Sequence, residues 1–179
     1  MIVIITILFS VIVYWLSNFQ PTAEGFWMWV MWLFLDLVAA ESLVIFITNI
    51  CPIFVVSLAA VAFANGLWMS VNGFMVPPHT LNVFWRYVFH YIDYQAYVFQ
   101  GMMVNEFGSR IYSCDRLPDN TCHCDYVTEL QDQCLIDGQG VLDFYGYNRH
   151  KTGLWVGILI AIIVVYRLLA WVVLFLRRS

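Results

Sequence analysis

Charge is what this sequence has least of. Only 11% of its 179 residues are Asp, Glu, Lys or Arg, against about a quarter in soluble domains, while 62% are hydrophobic. That deficit excludes an ordinary soluble domain and sets most of the chain against lipid or other apolar helices. Positive charge is the scarcer sign: eight basic residues against twelve acidic ones give a net charge of -4. A nucleic-acid footprint and a polybasic lipid-binding surface are therefore both missing, and nucleic acid is not an expected partner. No basic leader precedes the first apolar run and no small-residue cleavage site stands before Gln20-Pro21, which argues against a cleaved signal peptide. No asparagine has Ser or Thr two residues on, and Asn120-Thr121-Cys122 ends in cysteine, so no standard N-glycan is expected.

Catalytic constellations are lacking too. There is no C-x-x-C step, which disfavours both a paired-cysteine zinc site and a membrane thiol oxidase. Gly146 to Thr152 reads G-Y-N-R-H-K-T, with His150 where a phosphate loop needs glycine before its lysine, so the backbone cannot wrap a phosphate. Of the four histidines only His90 lies in an apolar run, which leaves a membrane haem without facing ligands. No Ser/His/Asp or Cys/His set has partners positioned to cooperate. Neither a catalytic residue nor a cofactor site is expected in this chain.

What is present is a series of long apolar runs. They predict an all-α integral membrane fold with four transmembrane helices at about 2–17, 26–47, 52–76 and 153–176. The first is short, because Ile2 to Leu16 extends only about 23 Å at 1.5 Å per residue. Asp36 and Glu41 lie inside the second and must face protein or water rather than lipid. The third is stopped by Pro77-Pro78. Between 80 and 104 the chain is apolar, but Asn82, Arg86, His90, Asp93, Tyr97 and Gln100 recur every three or four residues and predict a polar stripe on a re-entrant helical segment. In the last run Gly153, Gly157 and Ala161 recur every fourth position, the spacing that lets two membrane helices approach closely. Trp27, Trp29, Trp32, Trp155 and Trp171 read as interfacial anchors.

The remaining stretch, 105–151, holds most of the charge, including Asp119 and Arg116, and reads as an external loop. Four spans put both termini on one side, and Arg177-Arg178 place that side in the cytoplasm. Cys114, Cys122, Cys124 and Cys134 form an even set within the loop, the usage expected of disulfides in an oxidising compartment, while Cys51 stands alone. Of the three pairings, the one joining Cys122 to Cys124 is disfavoured by their closeness, and the other two stay open. A zinc site using these cysteines and His123 is the alternative.

From about residue 60 the order of features resembles the end of the membrane domain of G-subfamily ABC transporters, the White and pleiotropic drug resistance type. The likeness rests on the span ending Asn72-Gly73-Phe74-Met75-Val76, then Trp85, Arg86, Tyr87 and Tyr97, the triplet Asn105-Glu106-Phe107, Arg110, and Cys114 with the cysteine-rich loop before a final span. Residues 1–50 fit the two preceding spans, including Tyr14 and the connector Ser17 to Gly25. Gln95 departs from a proline the family often places before the tyrosine of the re-entrant segment.

The resemblance implies that residues 1–179 are a partial ABC-2 type transmembrane domain of an ATP-driven exporter of lipophilic compounds such as drugs, lipids or sterols. It implies a substrate cavity at Asn65, Gly66 and Met69 and an exit valve at Phe74 and Met75. ATP and Mg would act in a nucleotide-binding domain that this sequence lacks, and a second transmembrane half would complete the pathway. The chain is then a fragment or a piece needing another chain, with the plasma membrane as the expected location. The alternative is a four-span scaffold of the tetraspanin sort, although that family carries Cys-Cys-Gly where this sequence has Cys122-His123-Cys124.

Overall fold

The computed structural model describes residues 2–116, 122–126 and 128–178, so Asp119 and the Asn120-Thr121 part of the failed glycan acceptor lie outside the described residues. Among the described residues six α-helices carry the fold: α1 (Ile2–Leu16), α2 (Ala23–Ile50), α3 (Phe54–Val71), α4 (Tyr94–Phe107), α5 (Gly138–Tyr145) and α6 (Thr152–Arg178). Among the described residues, three helical stretches are long and apolar enough to cross a membrane: Ala23–Ile50, Phe54–Val71 and Arg149–Arg177. α1 is apolar but only 15 residues long.

Local chemistry sets the helix ends. α2 starts where the Thr22 hydroxyl accepts from the Gly25 amide, with Glu24 in the first turn to complement the helix dipole. It stops at Cys51 because Pro52 disfavours helical backbone in the residue before it. The third run is shorter than the expected 52–76. α3 ends at Val71, where the Asn72 side chain accepts from the Phe74 amide at 2.8 Å and Gly73 adopts φ +100°. A local asparagine turn followed by a glycine that tolerates positive φ competes successfully with further helix, although hydropathy continues unbroken.

The polar stripe is cut as well. A π-helical turn, Trp85–His90, is followed by a break, and α4 begins afresh with Asp93 as its cap, Oδ1 accepting from the Gln95 amide at 2.8 Å. The Tyr97 hydroxyl donates to the Tyr91 carbonyl at 2.8 Å and closes the break. Arg86 and His90 thus belong to one element and Tyr97 and Gln100 to the next, with Asp93 buried between them.

The core lies where α2, α4 and α6 meet, around Trp32, Tyr94, Val98, Trp155 and Leu159. Between membrane helices the driving force is close packing and hydrogen bonding rather than escape from water. Gly101 supplies the first: a Cβ there would overlap the indole of Trp32, which is 0% exposed. Arg167 supplies the second, donating from Nη2 to Glu41 and from Nε to the Ser42 hydroxyl, each at 3.0 Å, so that Glu41 ties α6 to α2.

Among its described residues, the segment after α4 forms a cap of two small antiparallel ladders. β1 (Ile111–Ser113) pairs with β4 (Leu135–Asp137), and β2 (Asp115–Arg116) pairs with β3 (Cys122–His123). Disulfides Cys114–Cys124 and Cys122–Cys134 cross-link the ladders, leaving Cys51 as the free cysteine. A sulfur held in a disulfide is not a thiolate, so this arrangement displaces the zinc alternative.

Candidate functional site

The resemblance points to α3 and the loop after it. Asn65 does not face open space: its Oδ1 accepts from the Tyr94 hydroxyl at 2.9 Å and from Gln95 Nε2 at 3.4 Å, so it stitches α3 to the start of α4. One residue on, Gly66 has nothing within 4 Å of where a Cβ would sit. It opens onto an apolar groove of about 610 Å³ lined by Phe63, Leu67, Ser70, Leu81 and Trp85 among others. Met69 is exposed on the outside of the same helix.

Beyond the helix, Phe74 and Met75 are 59% and 61% exposed. Phe74 rests edge-on against Phe99 of α4 at 5.7 Å. The turn that presents them is held from behind. His90 Nδ1 lies 2.8 Å from the Val71 carbonyl, which can only accept, so this nitrogen carries the proton. On the other side of the ring, Nε2 lies 3.5 Å from Gln100 Nε2. Gly73 is needed here for a second reason, because a Cβ would press on the hydroxyl of Tyr147 from the cap side.

The triplet Asn105-Glu106-Phe107 forms the other structured junction. The Asn105 side chain donates to the Gly25 carbonyl at 2.9 Å. Glu106 is buried and accepts from three sources: the Gln20 amide at 3.0 Å, Arg110 Nη1 at 2.6 Å and the Tyr112 hydroxyl at 3.1 Å. Arg110 also donates to the Asn18 carbonyl at 3.1 Å and lies over the Tyr112 ring, 5.4 Å from its centroid. Burial, and then the negative charge of Glu106, push the Tyr112 phenol up to about 12. The hydrogen bond to Glu106 holds the Arg110 guanidinium protonated even more firmly than usual. Tyr14 completes the junction by donating to the Gln20 carbonyl at 2.7 Å. One carboxylate therefore joins α4 to the α1–α2 connector and to the cap, the arrangement expected of a rigid corner rather than an acid-base catalyst.

Gly153, Gly157 and Ala161 are exposed on α6, with no neighbour within 4 Å of a Cβ at either glycine. Among the described residues they make no helix–helix approach. That role falls instead to Gly101, and Gly138 does the same in the cap, where a Cβ would strike the Phe107 carbonyl. Sequence reasoning passed over both. Gly101 had left a trace as a lone glycine inside a helical pattern, which marks a close approach.

The chain belongs to the ABC-2 type transporter family, whose model matches residues 1–107. It is similar over 98% of its length to ABC transporter G family member 23 of Arabidopsis thaliana, at 26% identity, and likewise at 26% to member 5 of the same plant. ABC transporter G family member 1 of Petunia hybrida is 30% identical over 58% of the chain. The chain spans about a quarter of the length of the Arabidopsis relatives, 26% and 25% respectively. It is thus a membrane protein of a transport family, in which nucleotide-binding domains are separate from the membrane domain. That membership favours the transporter resemblance over the four-span scaffold.

Proposed function

We propose that this chain forms part of the translocation pathway of an ATP-driven exporter of lipophilic compounds, with Gly66 and Met69 facing the substrate and Phe74 and Met75 forming the exit valve. The observation that carries the reading is the unpartnered outer side of α3, where a bare glycine and an apolar groove lie a few residues before two exposed, bulky side chains. Methionine and aromatic side chains repack around varied apolar ligands, which suits a broad substrate class. Asn65 contributes by fixing α3 on α4 rather than by binding.

In this reading α1, α2, α3 and α6 are the four spans, 80–104 re-enters the membrane from outside, and the disulfide-linked cap at 105–151 is extracellular. ATP and Mg act in the nucleotide-binding domain, a second transmembrane half supplies the opposite wall, and the plasma membrane is the site of export. Gly153, Gly157 and Ala161, open on α6, face lipid or a helix of another chain.

The test is Phe74→Ala in the assembled transporter. Substrate leak without ATP rises or turnover changes, read as efflux of a set of fluorescent lipophilic compounds. Unchanged export of every compound removes the valve role.

A further inference from the structure

Below the cap, the π-helical turn, α4, α5 and the start of α6 surround a half-open pocket of about 520 Å³ that shares no lining residue with the groove on α3. Arg86 and Lys151 both line it, and neither has an ion-pair partner among the described residues. The acid in the lining, Asp143, already accepts at Oδ1 from Gln139 Nε2 at 2.9 Å. Tyr147 lines the pocket too, and its buried hydroxyl has no hydrogen-bond partner among the described residues. Leu154, Trp155 and Ile158 of α6 add an apolar wall.

We propose that this pocket binds an anionic amphiphile, a carboxylate or phosphate head on an acyl tail. The head is held by Arg86, Lys151 and the Tyr147 hydroxyl, and the tail lies along Leu154, Trp155 and Ile158. Two cations with no ion-pair partner among the described residues and a buried orphan donor around one cavity match the acceptor oxygens of such a head, because charge-assisted hydrogen bonds are the strong ones in a partly desolvated site. A neutral lipid would leave both cations unmatched. A free oxyanion would leave the α6 wall without a ligand. The proposal takes only the membrane setting from the export reading, and the valve residues have no part in it.

The full chain in phosphatidylcholine nanodiscs is titrated with labelled oleate and with phosphatidate. Each binds once per chain, and Arg86→Gln combined with Lys151→Gln weakens binding about tenfold or more. The charge-preserving pair Arg86→Lys with Lys151→Arg retains binding, and Phe74→Ala leaves it unchanged, which separates this site from the valve. Tyr147→Phe, which removes only the hydroxyl, weakens binding roughly threefold to tenfold and serves if the double variant does not fold. Inorganic phosphate at millimolar concentration fails to displace the lipid. Unaltered binding in the glutamine pair or in Tyr147→Phe, or full displacement by inorganic phosphate, overturns the proposal.

Discussion

Helices α3 and α4 lie side by side, yet they are used in opposite ways: α3 is long and apolar enough to cross a membrane, whereas α4 is shorter and carries Gln95, Gln100, Asn105 and Glu106. α4 is engaged on nearly every side: Gly101 lies beneath Trp32, Tyr94 bonds to Asn65, Asn105 holds the start of α2, and Glu106 gathers the connector and the cap. α3 is tied by Asn65 to α4 and by the Val71 carbonyl to His90, and leaves Phe63, Gly66, Met69 and Ser70 exposed. Apolarity alone does not decide where helices pack, because lipid solvates an apolar side chain as well as another helix does. What distinguishes them is the placement of small residues and hydrogen-bonding groups, which decide where backbones come together.

The sharpest way to break this comparison is a matched pair of glycine substitutions. Gly101→Leu forces a side chain into the Trp32 indole and is expected to cost about 3 kcal/mol or more, while Gly66→Leu meets open space and leaves folding intact. Thermal unfolding in detergent reads both, and equal losses would abolish the distinction. Next in size is Glu106→Ala, which strands three donors at once. A loss of about 2–3 kcal/mol is expected, with early proteolysis at the Ser17 to Thr22 connector. A cleavage pattern like that of the parent chain would argue against a single rigid corner.

Reducing the cap disulfides should loosen the cap alone. Each closes a short loop, with sequence separations of 10 and 12, and is worth about 2–3 kcal/mol to the cap. Hydrogen exchange after reduction should rise between 111 and 137 and stay unchanged in α4; a rise spreading through α4 would show that its packing depends on the cap. The smallest effect concerns Tyr112. Its phenol is pushed from the ordinary 10.0 up to about 12, so the folded state holds the proton longer than the unfolded one. Its stabilising contribution is complete below pH 10 and is lost as pH rises towards 12. The ultraviolet difference titration between the parent chain and Tyr112→Phe reads this directly, and a midpoint at 10 would dissolve the contact with Glu106.

Much of this was legible from composition and pattern. A charge deficit and long apolar runs dictate a membrane protein, because a bilayer accepts few charged side chains, and clustered cysteines in a polar stretch mark a cross-linked cap. The ordered set from Asn72 to Cys114 led to the transporter family. The length of α3 was not legible, since hydropathy runs on to Val76 and only the backbone conformation at Asn72-Gly73 ends the helix. Nor was the break before Tyr94, where periodicity alone extends the stripe through Asp93. Which glycines matter was decided entirely by the tertiary structure. The regular spacing of Gly153 and Gly157 resembles a packing motif, yet Gly101 is the one with an indole against it. Spacing along one helix specifies a face, whereas the position of the neighbouring helix determines whether that face is covered.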